Sequence, residues 1–215
     1  SFGKPLVVVL LANRPRLITD IDGLANAVLF AGLPGPAGGP ALHEVLTGAV
    51  NPSGQLPFTY PRSANHLLTY DPKRSDTADG EGGFEAFRPL YPFGHGLSYT
   101  TFQYGQLELA REELDLAASV QLSVRVTNTG SRTGSEVVEV YVRDLHASIA
   151  PPVKRLRAFR KIVLGPGSAD TLTFDIPVME LGFYGAASKR LPIPTVEPGD
   201  FEVLVGDQRA TFTVN

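Results

Sequence analysis

From about residue 98 to the end of the chain, apolar side chains fall on every second position. This period of two confines the stretch to strands with one dry and one wet face. Val120, Leu122, Val124 and Val126 alternate with Gln121, Ser123, Arg125 and Thr127. Leu172, Phe174 and Ile176 alternate with Thr171, Thr173 and Asp175. Phe201, Val203 and Val205 continue the pattern, and the chain closes on Thr211-Phe212-Thr213-Val214. On a helix these apolar residues would scatter around the circumference and build no common face. Glu136 to Arg143 reads as a further strand, entered through the Asn128 to Gly134 loop, which is rich in residues that tolerate positive φ. Short amphipathic strands separated by turn signals predict an all-β sandwich over 98–215.

Residues 1–97 obey a different rule and predict an α/β segment. Leu6 to Leu11 is a continuous apolar run, as expected of a parallel strand covered on both faces. A second run, Ala27 to Phe30, leads into a glycine-rich turn over 32–39. Pro40 then suits the first turn of a helix, with Ala41, Leu42, Val45 and Leu46 on one face and Gly48 closing it. Asn51-Pro52-Ser53-Gly54 is a turn, and Leu56 to Tyr60 reads as a short strand near a sheet edge, since Pro57 cannot donate to a ladder. Residues 62–89 are polar and irregular and read as a long surface loop, loosest at 75–83.

Composition narrows the chemistry. With 19 Lys and Arg against 22 Asp and Glu, the net charge of -3 gives no field that would gather nucleic acid or an anionic membrane. The chain has no cysteine, so disulfides, thiol catalysis and Cys-based zinc sites are excluded. No apolar run approaches the roughly 20 residues of a membrane span. The histidines at 43, 66, 95 and 146 are scattered, with no His-Glu-x-x-His. The glycine-rich turn lacks the Gly-Lys-Ser/Thr ending of a phosphate loop, and Ser98 near His95 lacks a Gly-x-Ser-x-Gly elbow. Lys154, Arg155, Arg157, Arg160 and Lys161 interleave with Leu156, Ala158 and Ile162, which makes them the wet face of a strand rather than a polyanion patch. Neither metal nor cofactor is expected.

Several strings are collinear with a known family. Lys4-Pro5 before the Val-rich strand, PGPAGGPALHEVLTGAVNPSGQLPFTYPRS (34–63), PLYPFGHGLSYTTF (89–102), VTNTGSRTGSEVVEVYVRD, PPVKRLRAFRKIVLGPG and VEPGDFEVLVGD resemble the C-terminal portion of glycoside hydrolase family 3. The resemblance covers nearly the whole chain. It implies a partial α/β sandwich domain over 1–97 and a fibronectin type III-like, immunoglobulin-like β-sandwich over 98–215.

The resemblance further implies a retaining β-glycosidase, β-glucosidase or β-xylosidase in type, acting on terminal β-linked sugars of an oligosaccharide or glycoside. Retention needs two carboxyl groups about 5–5.5 Å apart. In the family the nucleophile comes from an N-terminal barrel domain, and the acid/base from a loop upstream of the strand that opens this chain. No catalytic residue is therefore assigned here, and the chain by itself is expected to be inactive, with the missing barrel as its partner. The opening Ser-Phe-Gly-Lys-Pro reads as a cut inside a domain that leaves an unpaired strand edge near 6–11. Glu81, between glycines, reads as a solvated loop charge downstream of the family's acid/base position. Tyr70, Lys73, Arg74 and Glu81 are the candidates for touching a sugar at the rim of a pocket. Asp20, Asp22 and Glu44 have no catalytic context. Family members acting on oligosaccharides are often periplasmic or secreted; the sequence itself fixes no compartment.

The rival reading is a non-catalytic carbohydrate-binding or structural module. Sugar platforms stack pyranose rings on exposed aromatics. This chain has no Trp, and most of its Phe and Tyr occupy strand or turn positions that read as buried.

Overall fold

The computed structural model describes residues 3–65, 69–73, 88–184 and 194–215. They form two compact units, one built from 3–65, 69–70 and 88–97, the other from 71–73 together with the described residues from 98 onward.

In the first unit, β1 (Val7–Leu11) and β2 (Ala27–Gly32) pair in parallel, from Val7 opposite Ala27 to Leu11 opposite Gly32. The crossover between them carries α1 (Thr19–Asp22), a single turn. Asn26 ties the strand starts: its Oδ1 accepts from the Leu6 amide at 2.8 Å, and its own amide donates to the Leu6 carbonyl at 2.8 Å. Helix α2 (Gly38–Thr47) follows, with Pro40 in its first turn. Gly48 closes it in the left-handed conformation, φ 78°, donating to the Val45 carbonyl. Gly38 is needed for space, because a Cβ there would stand 2.6 Å from Pro34 Cγ.

Two expectations for this unit change. The apolar run of β1 is not covered on both faces: its central residues are half-buried and Val7 and Leu11 are exposed. A two-stranded sheet with one longer helix offers too little cover among the described residues. Leu56 to Tyr60 does not form a strand. Tyr60 makes an isolated antiparallel bridge with Tyr91, and a second pair of bonds links Leu56 to Gly94 and His95. Pro57 and Pro92 interrupt the segments between these contacts, and a proline has no N–H to extend a ladder.

The second unit is the sandwich. One sheet runs β4 (Glu113–Leu114), β10 (Gln208–Val214), β9 (Gly199–Val205), β6 (Gly134–Asp144), β7 (Arg155–Leu164). The other runs β3 (Phe102–Leu109), β5 (Ser119–Asn128), β8 (Ala169–Pro177). A 3-10 turn, Val178–Leu181, follows β8. The alternation read from sequence is the alternation of burial. Val120, Leu122, Val124 and Val126 face Ile176, Phe174, Leu172 and Asp170 across the β5–β8 ladder. All four of the β5 side chains are buried, and so are Leu172, Phe174 and Ile176. Phe201 stacks on Phe212, ring centroids 5.4 Å apart.

The basic run is only partly a wet face. Arg160 and Lys161 are exposed, but Lys154 Nζ sits 3.9 Å over the Tyr141 ring, and its burial lowers its pKa. Arg155 pairs with Asp71 at 3.0 Å, and Arg157 donates to the Leu181 carbonyl. Phe159, on the same strand, points outward at 68% exposure rather than into the core.

The sandwich is pinned at one end by Asn128, which is 0% exposed. Its Oδ1 accepts from Thr100 Oγ1 at 2.7 Å and from the Gly130 amide at 3.1 Å. Its Nδ2 donates to the carbonyls of Arg132 at 2.7 Å and Leu164 at 2.9 Å. The 128–134 loop thus differs from the expectation, since none of its residues has positive φ. Gly130 is required for space instead: a Cβ would collide with Thr100 Oγ1. Asn128→Ala should lower the unfolding free energy of this unit by about 3 kcal/mol, because it strands buried donors and acceptors. Denaturant titration followed by near-UV circular dichroism measures that loss.

Across the sandwich, Tyr104 Oη donates to Glu136 Oε1 at 2.7 Å. Burial pushes the Glu136 carboxyl above its ordinary value, and the Tyr104 bond offsets this only in part. A raised folded pKa means the native state holds the proton more tightly than the unfolded chain. Stability therefore falls as pH rises from the unfolded value near 4.5 through the higher folded one. Glu136→Gln keeps an acceptor for Tyr104 without the charge. It should match the parent below pH 4.5 and exceed it in melting temperature at neutral pH.

Candidate functional site

The first unit gathers its polar chemistry around an aromatic cluster. Phe30 meets Phe58 edge-on at 5.4 Å and Tyr60 at 6.3 Å, and Tyr60 meets Tyr91 at 6.2 Å. Tyr60, 2% exposed, donates its hydroxyl to the Arg16 carbonyl at 2.7 Å and accepts from the Arg16 amide at 3.2 Å. Tyr91 donates to Asp22 Oδ1, and burial together with that carboxylate pushes its hydroxyl up to about 12. His95 stacks on Tyr91 at 4.7 Å.

This arrangement binds elements of the first unit together. Asp22, given no role from sequence, is an acceptor locked by a phenol, and the Tyr91 hydroxyl keeps its proton at any physiological pH. Four carboxyls of the other unit are likewise engaged. Glu136 accepts from Tyr104, Asp144 from the His146 amide, Asp175 from Gln121, and Glu197 from the Ser148 amide. Among the described residues, no group of three or more His, Asp or Glu side chains could hold a metal ion.

Of the rim candidates, Tyr70 and Lys73 lie among the described residues, whereas Arg74 and Glu81 lie outside them. Tyr70 is 40% exposed and rests on Phe93, ring centroids 5.1 Å apart. Lys73 is exposed and belongs to the second unit. Its backbone bridges Pro152, while the Pro72 carbonyl accepts from the Val153 amide at 2.7 Å. Tyr70 and Lys73 therefore fall in separate units.

Residues 1–99 match the Glycosyl hydrolase family 3 C-terminal domain, and residues 136–209 match a fibronectin type III-like domain. The chain is a glycoside hydrolase family 3 C-terminal domain joined to a fibronectin type III-like domain. It is 41% identical over 214 residues to a periplasmic β-glucosidase of Salmonella typhimurium, covering 95% of this chain and 28% of that protein. A β-xylosidase of Formosa agariphila is 39% identical over 207 residues, with the same two coverages. The structure of a Listeria innocua β-glucosidase in complex with glucose superposes with a TM-score of 0.89 at 30% identity, covering 99% of this chain and 31% of that one. A β-glucosidase from Erythrobacter marinus gives 0.86 at 36% identity, over 97% and 28%. The chain thus spans little more than a quarter of these relatives.

The family's Asn-Pro-Ser-Gly and Gly-His-Gly strings meet in the first unit. A Cβ on Gly96 would stand 2.5 Å from the Gly54 carbonyl oxygen, so the two turns touch backbone to backbone. The Tyr91–Asp22 bond, 69 residues apart in sequence, had no local signal. Tyr91→Phe should loosen the first unit by about 1 kcal/mol, seen as faster hydrogen exchange over residues 18–30, whereas Asp22→Asn, which keeps an acceptor, should cost less.

Proposed function

We propose that this chain is the C-terminal part of a retaining β-glycosidase of the β-glucosidase or β-xylosidase type, cleaving terminal β-linked sugars from oligosaccharides. In that reading the segment braces the active site, and the two carboxyl groups of the reaction come from the portion of the relatives that it does not span. The observation that carries the reading is collinearity. Both domains align, in order and over 95% of the chain, with a β-glucosidase and with a β-xylosidase. The polar contacts add support, since Glu136, Asp144, Asp175 and Glu197 each accept a hydrogen bond within the sandwich.

Tyr70, in the first unit, and Lys73, in the second, are each assigned here as a residue that a sugar would touch, with Arg74 and Glu81 further along the same stretch of sequence. Tyr70 suits the task, because an exposed ring held by Phe93 offers a fixed face to a pyranose.

Hydrolysis of aryl β-glucosides and aryl β-xylosides tests the proposal, using the chain alone and the chain mixed with a barrel-containing fragment that carries the carboxylates. The expected result is activity in the mixture only. Activity of the chain alone would overturn the reading and make Glu81 the first residue to substitute. In the active mixture, Tyr70→Ala should raise KM about fivefold with kcat unchanged. Unchanged kinetics would remove the rim role.

A further inference from the structure

A concavity lies on the sandwich, and most of its lining belongs to neither the core nor the rim assignment. It is a groove of about 700 Å³ over the three-stranded sheet, within the roughly 300–1,000 Å³ of small-molecule sites. Strand pairing builds its bed. Ser123 lies between Glu108 and Thr173 in one cross-strand row, and Gln121 lies opposite Asp175 in the next. Gln121 Nε2 donates to Asp175 Oδ2 at 3.1 Å, so an amide and a carboxylate are already oriented side by side. Arg160 closes one flank from β7, its guanidinium 5.4 Å over the Phe174 ring and one nitrogen 3.3 Å from the Thr173 carbonyl. Leu109, Ala110 and Ala158 supply an apolar portion of the lining.

We propose that this groove is a docking site for a short neutral oligosaccharide. The lining alternates donors, acceptors and hydroxyls at cross-strand spacing, the pattern that vicinal sugar hydroxyls can satisfy, over a strip of C–H surface for the faces of the rings. Two carboxylates against one guanidinium disfavour an anionic chain. An open groove without a projecting Trp or Tyr predicts weak binding, on the order of millimolar. The site uses neither Tyr70 nor Lys73 and needs no catalytic group. It rests on the glycosidase reading only for the choice of β-linked sugars as probes.

The test is an amide chemical-shift titration of the isotopically labelled 215-residue chain with cellotriose and xylotriose up to about 20 mM. Saturable shifts over residues 108–110, 121–123 and 173–175 are expected with at least one trisaccharide. They should weaken about fivefold in Gln121→Ala and in Asp175→Ala, each of which removes hydrogen bonding from an exposed side chain. No shifts, shifts confined to other segments, or equal affinity in both variants would overturn the site. A hexuronate trimer that binds as tightly as the neutral sugars would overturn its ligand class. None of these outcomes depends on hydrolysis, so the groove and the glycosidase reading can fail independently.

Discussion

A single buried amide closes one end of the sandwich, and the register of four strands depends on it. The core around it is aliphatic and aromatic, and such contacts are non-directional: they reward burial without choosing a register. Asn128 supplies the direction. From the last position of β5 it holds Thr100 ahead of β3, Gly130 and Arg132 in the loop before β6, and the end of β7 at Leu164. Its backbone also bonds Gly167 and Ser168, which lead into β8. All of its hydrogen-bonding capacity is met inside the protein, the condition under which a buried polar group specifies structure instead of only costing free energy.

The two units stand on different footings. The sandwich encloses one continuous cluster of 21 buried apolar side chains drawn from both sheets. Among the described residues of the first unit, the only buried large apolar side chains are Ile18 and Tyr60. Leu11, Leu24 and Leu33 remain more than half exposed. The parallel pair β1–β2 has one strand neighbour each and little cover, whereas parallel sheets in folded proteins are buried on both faces. Sequence strings and backbone geometry in this unit fit a family domain, while the apolar cover such a domain needs is thin.

Sequence legibility follows from the same contrast. In β5, β8, β9 and β10 each apolar position read from alternation is buried, because period two maps directly onto the two faces of a strand, whereas Leu156 and Ala158 of β7 are only half-buried. Strand β3 was not singled out, since its register shifts between Tyr104 and Leu107 and breaks the alternation. The strand expected at Leu56 to Tyr60 failed because Pro57 and Pro92 leave too few donors for a ladder. In the 128–134 loop, proximity to Thr100 demands Gly130, and positive φ plays no part. The contacts of Tyr91 with Asp22, of Tyr60 with Arg16 and of Asn128 with Thr100 and Leu164 join residues far apart in the chain, so no local pattern could announce them. For the candidate site, sequence strings carried the family, whereas half of the rim residues, Arg74 and Glu81, fall outside the described structure.

The fibronectin-like sandwich encloses a continuous core, whereas the described residues of the family 3 α/β unit supply little apolar cover. Native-state hydrogen exchange of the 215-residue chain measures this most directly. The account predicts the slowest exchange in β5, β6, β8 and β9, with amides of β1 and β2 exchanging at least about a hundredfold faster. Equal protection in the two units would contradict it.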